Sequence, residues 1–218
     1  MAQIRAIDIP APHGLLEGLL RTPDDSGTHL NMAALVCHPD PMGGGTMHNK
    51  VVFRVAQALG DIGMPVLRFN FRGVGRSTGT HDYGRGEADD VRSALSELGM
   101  LFPDAALLVA GFSFGSWVGL PVGCADERVV RLLGVGVPVG VLDLSALEQC
   151  TKPRLFIQGE LDEYGNAEAI TSWVATLPEP KRLVIIPGAD HFFARQQDEL
   201  RAAVATTLRA ELGVGGAD

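Results

Sequence analysis

The stretch VAGFSFGSW, residues 109–117, decides how the chain is read. At its centre lies GFSFG (Gly111 to Gly115), a Gly-x-Ser-x-Gly pentapeptide. At a sharp strand-to-helix turn this pattern exposes the serine hydroxyl and lets other backbone pass close beside the glycines. Alone it is weak evidence, because a chain with 27 glycines in 218 residues meets it easily by chance. Its meaning depends on the flanking elements and on residues further along the chain.

Immediately outward, residues 106–112 form a short apolar run of strand length, and Gly115 to Cys124 reads as the helix behind it. Residues 4–9 and 15–20 read as two strands around a turn at Pro12–Gly14. MAALVCH (32–38), apolar throughout and stopped by proline, has the pattern of a buried strand. In NKVVFRVAQALGDIG (49–63), Val51, Val52, Val55, Ala58 and Leu59 share one helical face, and Gly60 and Gly63 are expected to end the helix. PVLRFNF (65–71) reads as a strand, 72–86 as a Gly-rich loop, and Glu87 to Leu98 as a helix. Strands are expected at 131–138, 154–159 and 182–188, and helices at Ala167–Leu177 and Asp198–Leu212; the tail GVGGAD should fray. Helices alternating with strands predict an α/β fold, with a mainly parallel sheet covered by helices on both faces and one domain over 1–218. Only residues 138–153 separate two of the strands, too few for a lid domain.

In such sheets, ligands meet the carboxyl ends of the strands. Ser113 ends one strand, Asp162 follows LFIQGE, and His191 follows VIIPGAD. Their order, Ser then Asp then His, is the order of the Gly-x-Ser-x-Gly hydrolases. The chemistry needs these residue types. A serine hydroxyl is a weak nucleophile and requires a base, and a histidine can take its proton and return it to the leaving group. A carboxylate fixes the imidazole tautomer. Glu160, Glu163 and Asp190 compete for the acid role; Asp162 is preferred because it lies just past the strand and its turn.

The oxyanion of a tetrahedral intermediate needs backbone N–H donors. Phe114, next after the serine, is the first candidate. The second should come from HPDPMGGGT, after the strand ending at His38. Pro39 and Pro41 have no N–H, so the choice falls on Asp40, with Met42 as the fallback. Met42, Gly43 and Phe192 are candidates to line the substrate pocket. His38 reads as a residue that shapes this loop, and His48 as a surface residue. The remaining histidines, His13, His29 and His81, show no metal-ligand spacing. RGVGRSTG (72–79) is neither a Walker loop nor a dinucleotide fingerprint; Arg72 is expected to anchor to Glu87 or Asp90. Trp117 is expected to be buried packing.

The formal net charge of −8 and the lack of a basic tract argue against nucleic acid or an anionic membrane as a partner. No apolar run approaches the length of a membrane span, and MAQIRAIDIP lacks the apolar core of a signal peptide. Three widely spaced cysteines, Cys37, Cys124 and Cys150, read as free thiols in a cytoplasmic protein. Oligomeric state is left open.

Three motifs together, HPDPMGGGTMHNK (His38 to Lys50), RFNFRGVGRS (Arg68 to Ser77) and GFSFG, resemble those of the α/β-hydrolase superfamily. They resemble in particular its small, lidless bacterial serine hydrolases related to the dienelactone-hydrolase-like branch. The resemblance covers nearly the whole chain. It implies Ser113 as nucleophile, Asp162 as acid, His191 as base and an oxyanion loop around Pro39 to Met42, with no cofactor or metal. Two departures stand out: Asp40 where relatives often carry histidine, and Gly43 where they often carry an aromatic residue. Dienelactone hydrolases use a cysteine nucleophile, so that activity does not transfer to Ser113. The expectation is a carboxylesterase acting on small or short-to-medium acyl esters. A thioesterase, an amide or peptide hydrolase, an acyltransferase or a non-catalytic binder remain alternatives.

Overall fold

The computed structural model describes residues 2–23 and 30–214; His29 and tail residues 215–218 lie outside them. The strands are β1 (Gln3–Ala11), β2 (Gly14–Thr22), β3 (Met32–Cys37), β4 (Val66–Phe69), β5 (Ala106–Phe112), β6 (Val129–Val135), β7 (Arg154–Gly159) and β8 (Lys181–Ile186). The helices are α1 (Lys50–Asp61), α2 (Arg85–Leu101), α3 (Phe114–Ala125), α4 (Ala167–Thr176) and α5 (Gln197–Leu212). The strands form one sheet in the order β1-β2-β4-β3-β5-β6-β7-β8. β1 pairs with β2, and β2 with β4, antiparallel; every other pairing is parallel. The expected mostly parallel α/β sheet is what forms, and among the described residues no lid interrupts it.

The apolar runs of β3 and β5 are buried along their length because helices cover both faces. Alternate residues serve the two faces. Leu107 and Val109 of β5 belong to the same buried cluster as Val91 of α2, Val118 of α3 and Ile170 of α4. Leu108, Ala110 and Phe112 belong to the cluster on the other face, with Val52 of α1 and Val204 of α5. Strands β3 and β5, buried side by side at the centre, thus carry the His38–Met42 segment and the serine turn at neighbouring strand ends.

Two expectations are corrected. Gly60 does not end α1, which runs on to Asp61 before Gly63 turns the chain at φ +94°. Gly60 instead leaves room for the Arg21 guanidinium, which a Cβ there would overlap. The cysteines are not all free: Cys124, near the end of α3, is disulfide-bonded to Cys150, with Cα atoms 6.0 Å apart. Cys37 alone is a free cysteine among the described residues, and burial pushes its thiol pKa up.

Candidate active site

Ser113 sits between the end of β5 and the start of α3 with φ 54° and ψ −121°, a conformation that a side-chain-bearing residue rarely adopts. Close packing imposes it. A Cβ on Gly111 would lie 2.3 Å from the Gly115 carbonyl oxygen, and one on Gly115 would lie 2.5 Å from the carbonyl oxygens of both Cys37 and His38. Only glycine permits the elbow to press this tightly on itself and on the end of β3. The Ser113 N–H donates to Val135 O at 3.0 Å, and its carbonyl accepts from Ser116 N at 2.8 Å. The backbone is pinned while the hydroxyl faces the site.

His191 stands in the loop after β8, and Asp162 in the turn after β7. His191 is 2% exposed and Asp162 fully buried. His191 Nδ1 donates to Asp162 Oδ2 at 2.8 Å, and Ser113 Oγ donates to His191 Nε2 at 3.0 Å. The carboxylate can only accept, so it fixes the proton on Nδ1 and leaves Nε2 bare to take the serine proton. The competing acids are occupied or displaced. Glu160 accepts from Gly188 N, Asp190 from Ala194 N, and Glu163 is exposed. Asp162 also accepts from Tyr164 N at 2.9 Å and from Gln158 Nε2 at 2.9 Å. Gln158 was not anticipated from the sequence; its one signal was a polar residue within the otherwise apolar strand core of RLFIQG.

Residues 42–210 match the family model described as an alpha/beta hydrolase domain. The chain belongs to the α/β-hydrolase family. An uncharacterized protein of Rickettsia prowazekii is 35% identical over 202 residues, 88% of this chain and 84% of that one. The structure of XC6422 from Xanthomonas campestris, described as an a/b serine hydrolase without lid, has a TM-score of 0.90 at 36% identity, covering 98% of this chain and 97% of that one. An alpha-beta serine hydrolase homologue from Coxiella burnetii has a TM-score of 0.88 at 35% identity, covering 94% and 97%. With its triad assembled, this α/β hydrolase is a lidless serine hydrolase.

The first two motifs of the hydrolase, around His38 and around Arg68, hold one another. His38 is buried, and its Nε2 accepts from Phe71 N at 3.0 Å. Its proton therefore sits on Nδ1, which donates to Pro39 O at 2.6 Å. Burial pushes its pKa down to about 4, so it is a neutral loop-shaping residue and not a second base. Arg68 donates to Met47 O, and Asn70 accepts from Met47 N. RFNFRG thereby anchors the loop after β3. Arg72 grips the buried Asp90 through its backbone N–H and its guanidinium. Of the two expected carboxylates Asp90 is the partner, while Glu87 accepts from Asp82 N and Gly84 N. Arg76 pairs with Glu17 and Asp8, so the arginines of 72–79 are committed to structure. Trp117 is half-buried, packing on Phe114 and donating to Asp143 O. His48 is exposed as expected.

Aromatic rings crowd the base. Phe112, Tyr164 and Phe192 lie with ring centroids 4.9, 4.6 and 5.1 Å from that of His191. Phe192 is half-exposed and Met42 largely exposed. Met42 and Gly43 belong to a 3-10 turn after β3 whose Met42 N–H donates to the Asp40 carboxylate at 3.0 Å.

Proposed function

We propose that this serine hydrolase is a carboxylesterase acting on small or short-to-medium acyl esters through an acyl-enzyme on Ser113. The observation that carries the reading is the relay Ser113–His191–Asp162, 3.0 and 2.8 Å long, built on a strained elbow that no lid covers. Ser113 Oγ attacks the ester carbonyl as His191 Nε2 takes its proton. The imidazolium then gives that proton to the departing alkoxide, releasing the alcohol. Water, deprotonated by the same nitrogen, attacks the acyl-enzyme, and the carboxylic acid leaves.

We assign the oxyanion to the N–H groups of Phe114 and Asp40. Among the described residues neither has a hydrogen-bond partner. Met42, the fallback donor, is engaged by the Asp40 side chain. Flanking prolines and the His38 hydrogen bond to Pro39 O keep the Pro39–Asp40 peptide in one orientation, which suits a preorganised donor. Met42, Gly43 and Phe192 are assigned to the substrate mouth. The likeness to the dienelactone-hydrolase-like branch rests on the motifs around Asp40 and Arg72, with Ser113 in place of that branch's cysteine.

A fluorophosphonate probe should label the wild-type chain, and Ser113→Ala should abolish the labelling; equal labelling of both would remove Ser113 from the nucleophile role. Across p-nitrophenyl esters of increasing chain length, kcat/KM should peak at short or medium acyl groups. A matched thioester or amide turned over faster than the ester would displace the esterase assignment.

A further inference from the structure

Gln158 is the penultimate residue of β7, and its side chain is fully buried. Its oxygen accepts from Val137 N at 2.8 Å. Its nitrogen lies 2.9 Å from Asp162 Oδ2, 2.8 Å from Gly165 O and 3.2 Å from Val137 O. These partners settle which end of the amide is which. Turned over, the amide would set an oxygen against three acceptors and an NH₂ group against an N–H donor. The NH₂ group therefore points at Asp162, and at the same carboxylate oxygen that receives His191 Nδ1.

We propose that Gln158 is a positioning residue of the hydrolytic machinery, holding the Asp162 carboxylate in the orientation that receives His191; the role rests on the hydrolytic reading above. Asp162 is fully buried, and among the described residues no lysine or arginine pairs with it. Its orientation is set by three N–H donors: His191 Nδ1, Tyr164 N and Gln158 Nε2. The first belongs to the moving part of the relay, since the imidazole gains and loses a proton in every cycle. Tyr164 holds Oδ1 from the exposed turn. Gln158 alone holds Oδ2 from within the sheet, and its own oxygen is fixed by the backbone of the segment after β6. A buried polar group left without its partner is costly, so the amide and the carboxylate keep each other in place.

Gln158→Met removes the donor at similar size. Gln158→Glu replaces it with an oxygen aimed at Asp162. Asp162→Asn is the control for the triad itself. Turnover of p-nitrophenyl acetate, thermal unfolding and the low-field ¹H NMR line of the His191 Nδ1 proton are measured on the full chain. Misplacing a catalytic group by about 1 Å lowers rate by roughly 100-fold. Gln158→Met should therefore lower kcat about 10- to 100-fold and leave KM within about 3-fold, since Gln158 does not face the substrate. It should also shift or broaden the His191 line, and Gln158→Glu should be worse. A Gln158→Met protein that melts earlier but keeps its kcat and its His191 line would reduce Gln158 to a staple between two loops and overturn the proposal. Should neither variant fold, the side-chain NH₂ resonances of Gln158 in otherwise wild-type protein decide. They must move in Asp162→Asn, and unmoved resonances overturn the proposal. Full activity in Asp162→Asn would instead sink the triad reading on which it stands.

Discussion

His38 shows how one buried side chain ties the fold to the chemistry. Its ring accepts from Phe71 N and donates to the Pro39 carbonyl, so only the neutral form with the proton on Nδ1 fits. Burial lowers its pKa from the ordinary 6.5 to about 4. Above pH 6.5 folded and unfolded chains are both neutral at this residue, and it adds no pH dependence. Between pH 6.5 and about 4 the unfolded chain takes up a proton that the folded chain refuses. Stability should then fall with acidification, by up to about 3 kcal/mol in total, and level off below about pH 4 as far as His38 is concerned. Urea unfolding of wild type and His38→Gln, followed from neutral pH down to about pH 4.5, measures this. The wild-type curve should drop more steeply than the variant's; parallel curves would rule out the neutral buried state. The sequence showed that His38 ended a buried strand beside two prolines, which was enough to set it aside as a base. Its partner Phe71, 33 positions away, was out of reach because strand adjacency, not local pattern, brings β3 and β4 together.

At the scale of elements, the two glycines of GFSFG have separate mechanical tasks. Gly111 clears the Gly115 carbonyl inside the elbow, and Gly115 clears the end of β3. Gly115→Ala would push a methyl against two backbone carbonyls that have no rotamer with which to yield. It should destabilise the fold by about 1–3 kcal/mol or more and lower activity, because β3 leads into the loop proposed to bind the oxyanion. Gly43→Ala is the contrast. Its Cβ would meet the Asp40 side chain at an ordinary 3.6 Å, so stability should change by no more than about 0.5 kcal/mol. Chemical denaturation of the two variants tests the ranking, and equal losses would contradict it. The elbow was legible because its signals are local: an apolar strand, a Gly-flanked serine, then a helix. Asp162 and His191 were legible because parallel strands deliver their trailing loops to one edge of the sheet. Gln158 was not, since a buried glutamine within a strand looks the same whether it fills space or orients a neighbour. Gly60 was misread for a similar reason. A glycine near a helix end usually marks a stop, and only the packing of Arg21 from β2 shows that this one marks a close approach.

For the whole molecule, the Cys124–Cys150 bond is the feature that composition argued against. An odd count of widely spaced cysteines carries no pairing signal, and the two are 26 residues apart. They meet because the segment after β6 folds back over α3. That crossing is held elsewhere too: Trp117 Nε1 donates to Asp143 O at 2.8 Å, and Lys152 Nζ donates to Gly123 O at 3.0 Å. The cross-link closes a loop containing β6 and restricts the unfolded chain. For a loop of this length the chain-entropy contribution is about 3.5 kcal/mol. Ser113, Asp162 and His191 all lie outside the closed segment. Denatured protein that has seen no reductant should therefore titrate with one thiol, Cys37, and reduced protein with three. Cys124→Ser should lower the urea midpoint in step with reduction of the wild type. At temperatures well below unfolding, hydrolase activity should survive either treatment, because the noncovalent contacts of Trp117 and Lys152 still seat the segment. Three thiols without reductant would show that the bond is not formed. Loss of activity at full retention of fold would show that the crossing does more than brace the elbow helix.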